Sequence, residues 1–150
     1  MNHMAIAALK TQRRNLVQSM FDEGVLDNQF NQLQDLQDSS NPNFVEEVIS
    51  LFCNDAERII TELNRYLNDQ NVDFSKLDSY VHQLKGSSSS IGAYRLKLAC
   101  VNLRQASEER NMEECAGAFN SIRREYYVVR SKLQVLIQLE RHIVNLENQQ

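Results

Sequence analysis

The stretch His82-Gln83-Leu84-Lys85-Gly86-Ser87-Ser88-Ser89-Ser90-Ile91-Gly92 holds the side chains of this chain best placed for chemistry. It offers one imidazole, one ammonium a turn further on, and small residues around both. A neutral imidazole is a competent nucleophile, and an unperturbed pKa of about 6.5 keeps most of it neutral at pH 7. The apolar positions Phe74, Leu77, Val81, Leu84 and Ile91, with Ser88 in the gap, alternate threes and fours, which marks a helix with one buried stripe. At about 100° per residue, His82 projects roughly 130° from the centre of that stripe, toward solvent. Ser79 and Gly86 lie one turn to either side, and Lys85 and Ser89 border it. The imidazole therefore stands on a cleared patch of helix, as a group that must enter a partner's active site would need.

A histidine that is merely solvated leaves the four consecutive serines and the glycine unexplained. Serine costs a few tenths of a kcal/mol per helical site relative to alanine and glycine about 1 kcal/mol, together on the order of 2 kcal/mol in one short segment. A face selected for stability alone would carry Ala, Glu or Lys there. The cost points to function.

The rest of the chain supplies helices to hold this segment. Proline occurs once and glycine four times in 150 residues, and no run shows sustained strand-like alternation, so the chain reads as all-α. A first helix runs from about His3 to Phe21, closed by Glu23-Gly24, with Asp27 capping a short second one. Asp38-Ser39-Ser40-Asn41-Pro42 is a boundary loop that places proline at the first helical position of a long helix reaching about Asn68. The histidine helix begins near Phe74 and ends or bends at Gly92; further helices cover about 94–110 and 113–146. Four long amphipathic helices with short connections imply an antiparallel up-down-up-down bundle, with one or two N-terminal helices covering one end. The last helix looks longer than its partners, so its C-terminal turns are expected to protrude or fray.

Composition narrows the function. Sixteen basic against twenty acidic residues, a net charge of −4, argue against a nucleic-acid surface. No apolar run is long enough for a membrane span or of signal-peptide type, so an intracellular aqueous compartment is expected. Cys53, Cys100 and Cys115 are far apart in amphipathic segments and read as free buried thiols. No metal-ligand cluster, Glu-x-x-His, P-loop or dinucleotide fingerprint is present, so neither a metal nor a nucleotide cofactor is expected on this chain. His3 and His142 read as solvated surface residues.

The string Val81 to Ala93, with His followed by Lys at the third and Gly at the fourth position, resembles the phosphohistidine motif of histidine-containing phosphotransfer (HPt) domains, the plant versions above all. Gln32 to Asp38, and Asn41 to Val45 through Leu51-Phe52, also read like the plant family, and the resemblance spans essentially the whole chain. Some plant relatives lack the histidine; this chain keeps it. The resemblance implies one HPt domain over 1–150, with N-terminal helices at about 3–38 and the bundle at about 42–147. It further implies a non-kinase phosphorelay intermediate that accepts a phosphoryl group on His82 from a receiver-domain phosphoaspartate and passes it to another receiver. Lys85 would neutralise phosphoryl oxygens as a compact charge, Gln83, Ser89 and Ser90 would line the site, and Gly86 would clear the donor's loop. Any Mg²⁺ would sit on the receiver. The partners implied are receiver domains of hybrid histidine kinases and of response regulators, met by a monomer moving between cytoplasm and nucleus in cytokinin signalling. A non-catalytic adaptor that binds receivers is the alternative.

Two further groups are open. Lys97, Val101, Arg104 and Glu108 form one stripe of the next helix, so Lys97 or Arg104 could approach the phosphate or simply form a solvated charged face. In relatives the N-terminal helices help dock the receiver. Val25, Leu26 and Phe30 are the candidates for that here, unless they seal the end of the bundle.

Overall fold

The computed structural model describes residues 2–149, which form six helices: α1 (Asn2–Asp22), α2 (Asn28–Asp35), α3 (Phe44–Leu67), α4 (Phe74–Ile91), α5 (Tyr94–Glu108) and α6 (Met112–Asn148). Among the described residues there is no strand. α3 packs on α4, α4 on α5 and α5 on α6, and α6 closes back on α3. This is the expected antiparallel four-helix bundle. The stripe read from α4 is its buried face: Leu77, Val81, Leu84, Ser88 and Ile91 are all excluded from solvent. Facing rows from α3 (Ile49, Phe52, Ala56, Ile59, Leu63) and α5 (Leu96, Ala99, Cys100, Leu103) complete the layer. Hydrogen bonds tie the helices crosswise. The Tyr126 hydroxyl donates to the Cys53 carbonyl at 3.2 Å, joining α6 to α3, and Arg95 pairs with Glu125 at 2.6 Å, joining α5 to α6.

The N-terminal helices do not both cover an end. α1 lies antiparallel along the C-terminal half of α6, stitched by Arg13–Glu140 (3.1 Å), Lys10–Glu147 (3.9 Å) and Lys132–Glu23 (3.5 Å). The cause is length. At 37 residues α6 spans about 55 Å, while α5, with 15 residues, spans about 22 Å. The overhang would expose an apolar face, and α1 buries it: Ile143 and Ile6 are both withdrawn from water. The C-terminal turns of α6 are thus covered rather than protruding.

A second difference lies at Pro42, which sits in the turn before α3 rather than in its first helical position. Asp38 Oδ1 accepts from the backbone N–H groups of Ser40 and Asn41, and the Phe44 N–H reaches the Asn41 carbonyl. That turn holds Pro42 and Asn43 outside the helix, which then starts at Phe44.

α2 is seated against the end of α4. Asp27 caps it through a bond from the Gln29 N–H (2.9 Å), and the Asp27 N–H in turn donates to the Gly92 carbonyl (2.9 Å). Gly92 terminates α4 in the left-handed region, φ +83°. A Cβ on it would stand 2.6 Å from the Phe30 nitrogen and 2.9 Å from Asp27 Oδ1. Val25, Leu26 and Phe30 are buried in this junction. They seal the bundle end, one of the two roles considered for them.

Gly92→Ala should therefore cost more than 2 kcal/mol, about 1–2 from the left-handed backbone alone, with displacement of the Phe30 backbone added. Gly24, also left-handed at φ +74° but with only the Arg95 Cδ atom as far away as 4.0 Å, should lose the backbone contribution alone on change to alanine. Urea unfolding of both variants checks the difference; equal losses would mean that the close approach at Gly92 carries no energy.

Candidate functional site

Asp73 starts α4 by accepting from the Lys76 N–H (3.1 Å), and Gly92 ends it, so the histidine sits mid-helix between two firm caps. His82 is exposed, as are Ser79, Gln83 and Gly86, while Lys85 and Ser89 are half-buried. Neither the His82 imidazole nor the Lys85 ammonium makes a hydrogen bond or ion pair with another described residue. A Cβ placed on Gly86 would meet nothing within 4 Å. The clearing expected from the sequence is present. It is open to solvent.

The four serines have different surroundings. Ser87 and Ser90 turn their hydroxyls back to their own helix, onto the Leu84 and Gly86 carbonyls at 3.2 and 3.0 Å. Ser88 is fully buried with its hydroxyl unpartnered. Ser89 lies two turns on from His82 along the stripe Asp78–His82–Lys85–Ser89. Ser90 is exposed, and its hydroxyl proton is directed to the Gly86 carbonyl. Gln83 projects about 100° further round the helix than His82, because neighbours in sequence do not share a face.

The second half of the site depends on how α5 lies. The Ser107 hydroxyl donates to Asp78 at 2.7 Å, joining α5 to α4. That bond and the short connection at Gly92-Ala93 set the antiparallel register: His82 is level with Leu103 and Arg104, and Ser88 and Ser89 with Leu96 and Lys97. Lys97 and Arg104 lie three residues before and four after Cys100, on the edge of α5 that faces α4. Both cations thus border the histidine stripe. Arg104 forms only an exposed pair with Glu108 at 3.7 Å, of a kind worth about 0–1 kcal/mol and easily exchanged. The Asp78–Ser107 bond was not legible as a functional feature. Its only signal was a carboxylate one turn before the histidine and a serine at a core-flanking position of the next helix.

His3 and His142 are exposed on α1 and α6, away from the α4–α5 face. Among the described residues no three His, Cys, Asp or Glu side chains gather as metal ligands, and no helix is long and apolar enough to cross a membrane.

Residues 47–148, most of the bundle, match the family model of the Hpt domain. The chain belongs to the histidine-containing phosphotransfer family. It is 51% identical over 140 residues to histidine-containing phosphotransfer protein 1 of rice, covering 93% of this chain and 95% of that one. It is 50% identical over 131 residues to the Arabidopsis thaliana protein of the same name, covering 87% and 85%. The X-ray structure of a rice histidine-containing phosphotransfer protein superimposes with a TM-score of 0.87 at 47% identity, over 93% of this chain and 98% of that one. As a plant phosphotransfer protein of a phosphorelay, the chain is a phosphohistidine carrier rather than a kinase.

Burial holds the Cys100 thiol protonated, pushing its pKa up to about 12 against the opposing charge of Lys85. Burial likewise raises Cys53 and Cys115. An unfolded thiol ionises near about 8.5, so the native state holds its proton more tightly. The resulting stability is complete below pH ~8.5 and is lost as pH rises toward about 12. Unfolding free energy should fall between pH 7.5 and pH 10 by on the order of 1–2 kcal/mol more in the parent than in Cys100→Ala, measured by urea titration at both pH values. Parallel losses in the two proteins would show that the thiol is not the source.

Proposed function

We propose that His82 is the phosphoacceptor and that receiver domains are its donors and acceptors. The observation that supports this reading most is the exposed, unpartnered imidazole on a helix whose opposite face is locked in the core, next to the open space at Gly86. The lone pair of a neutral ring nitrogen attacks the phosphorus of a receiver's phosphoaspartate in line. An N–P bond forms, the P–O bond to the aspartate breaks, and the carboxylate leaves with the electron pair. The proton on the other ring nitrogen is then shed to solvent, which His82 faces. Passage to a second receiver is the reverse, with that receiver's aspartate as nucleophile.

Phosphoryl transfer asks for positioning and charge stabilisation rather than covalent work from the protein. The rigid α4 supplies the first. Lys85 supplies the second as a free ammonium on the same stripe, with Lys97 and Arg104 at the edge of α5 and Ser89 and Gln83 as polar lining. Mg²⁺ belongs to the receiver. Gly86 admits the donor's loop, because any side chain there would stand in the approach. The whole chain serves as one HPt unit, with α1 and α2 bracing the bundle. Hybrid-kinase receivers would supply the phosphoryl group and response-regulator receivers take it, through a monomer serving cytoplasm and nucleus in cytokinin signalling.

His82→Gln should abolish acid-labile, alkali-stable labelling by a phosphorylated receiver while leaving helix content and melting nearly unchanged, since the site is on the surface. Labelling that persists would remove His82 from the reaction. Absence of labelling in the parent protein as well, with receiver binding intact, would favour the adaptor.

Lys85→Ala should slow the maximal transfer rate about ten- to a hundredfold. A charge-assisted contact to phosphate is worth roughly 1.5–3 kcal/mol, and 1.4 kcal/mol is one decade of rate. Single-turnover transfer over a range of receiver concentrations separates rate from half-saturation. A normal maximal rate with weaker half-saturation would make Lys85 a docking residue only.

A further inference from the structure

α2 packs chiefly on α4, and its other flank stands off from α1, α3 and α6. The gap is a cavity of about 480 Å³, walled by those four helices and the turn before α3, with no residue of α4 or α5. Its floor is apolar. Ile49 and Leu136 are buried there, Val45 and Ile137 half-buried, and Val144 borders it from an exposed position. Two ion pairs stand in its wall, Arg13 with Glu140 and Arg141 with Glu46. The carboxamides of Gln34, Asn43 and Asn145 line it as well, and none of the three makes a hydrogen bond with another described residue.

We propose that this cavity binds an uncharged small molecule with an apolar body and an amide-type edge, one that both donates and accepts hydrogen bonds. The volume lies within the range of about 300–1,000 Å³ usual for small-molecule sites, and walls drawn from four helices suit a compact ligand rather than an extended segment. Charge decides the class. Each guanidinium is matched by a carboxylate, so the wall is neutral as it stands. An anionic ligand would have to take an arginine from Glu140 or Glu46 and leave that carboxylate unpaired beside it. A cationic ligand would strip an arginine of its partner in the same way. Arg13, Glu140 and Glu46 are half-buried, so losing a partner there is unfavourable. A neutral ligand leaves both pairs intact. The three carboxamides then fix its orientation, because each offers an acceptor oxygen and two donor hydrogens to a group of the same kind, such as a primary amide or lactam. Contact of the apolar body with Ile49, Leu136 and Ile137 supplies the affinity.

Benzamide, benzoate and benzamidinium share one apolar body and differ in charge, so they separate the classes. Each is titrated to about 20 mM into protein with labelled methyl groups, since a fragment of this size binds in the millimolar range. Benzamide is expected to move the Ile49, Ile137 and Val144 methyl signals saturably, with at least about fivefold the affinity of either ion, and to raise the melting temperature because it binds only the folded state. Gln34→Leu should weaken it at least about threefold. Val144→Trp, whose ring would fill the mouth from an exposed position, should abolish both effects. No methyl shift in the parent, or shifts unchanged in Val144→Trp with helix content intact, would overturn the site. Benzoate or benzamidinium binding as tightly as benzamide would overturn the uncharged class, and unchanged affinity in Gln34→Leu would overturn the part given to the carboxamides.

Discussion

The rotational setting of α4 is the constraint on which everything else depends. Five positions, Leu77, Val81, Leu84, Ser88 and Ile91, are held in the core, so the helix cannot turn about its axis without moving apolar groups into water. Burying one such large side chain contributes about 1.5–3 kcal/mol, and a rotation that exposed several would cost more than a small domain's whole margin of stability. The azimuth of His82 is therefore fixed by the buried face of its own helix. Gly92 fixes the other coordinate, translation along the axis, because its left-handed turn is pressed against Phe30 and bonded to Asp27.

The bundle was legible because its information is local. Each helix carries its own period and its own punctuation: Gly24 and Gly92 in the left-handed region, and Asp27 and Asp73 as N-caps. The histidine stripe was readable for the same reason, since exposure follows from angle alone. What could not be read was pairing between segments distant in sequence. Nothing in the stretch around Arg13 announces Glu140, and an overhanging α6 looks frayed until α1 is laid along it. Val25, Leu26 and Phe30 show the same limit, because three apolar residues after a helix fit a docking patch and a plug equally well. Phe30 is seated against Gly92, more than sixty residues further on.

The four serines make a related point about composition. As a run they signal a cleared surface, yet one is in the core without a hydrogen-bond partner, two bond back to their own helix, and only Ser89 is aligned with His82. The shared property is size rather than hydroxyl chemistry. On the buried side a small residue leaves room for the neighbouring helices, and on the outer side it leaves room for a visitor. The buried Ser88 hydroxyl carries a desolvation cost of about 1–3 kcal/mol that an alanine would avoid.

The openness of the face around His82 has a consequence for traffic. A carrier with a single nucleophile on a single open surface can hold one visitor at a time, so supplier and recipient of the phosphoryl group compete for the same ground. Exchange then follows ping-pong kinetics, in which the loaded carrier must be abandoned by one partner before the next can arrive. Very tight binding to either side would stall turnover. For such a carrier, moderate affinity and rapid dissociation are requirements of throughput, and the relative abundance of its visitors sets the direction of flow.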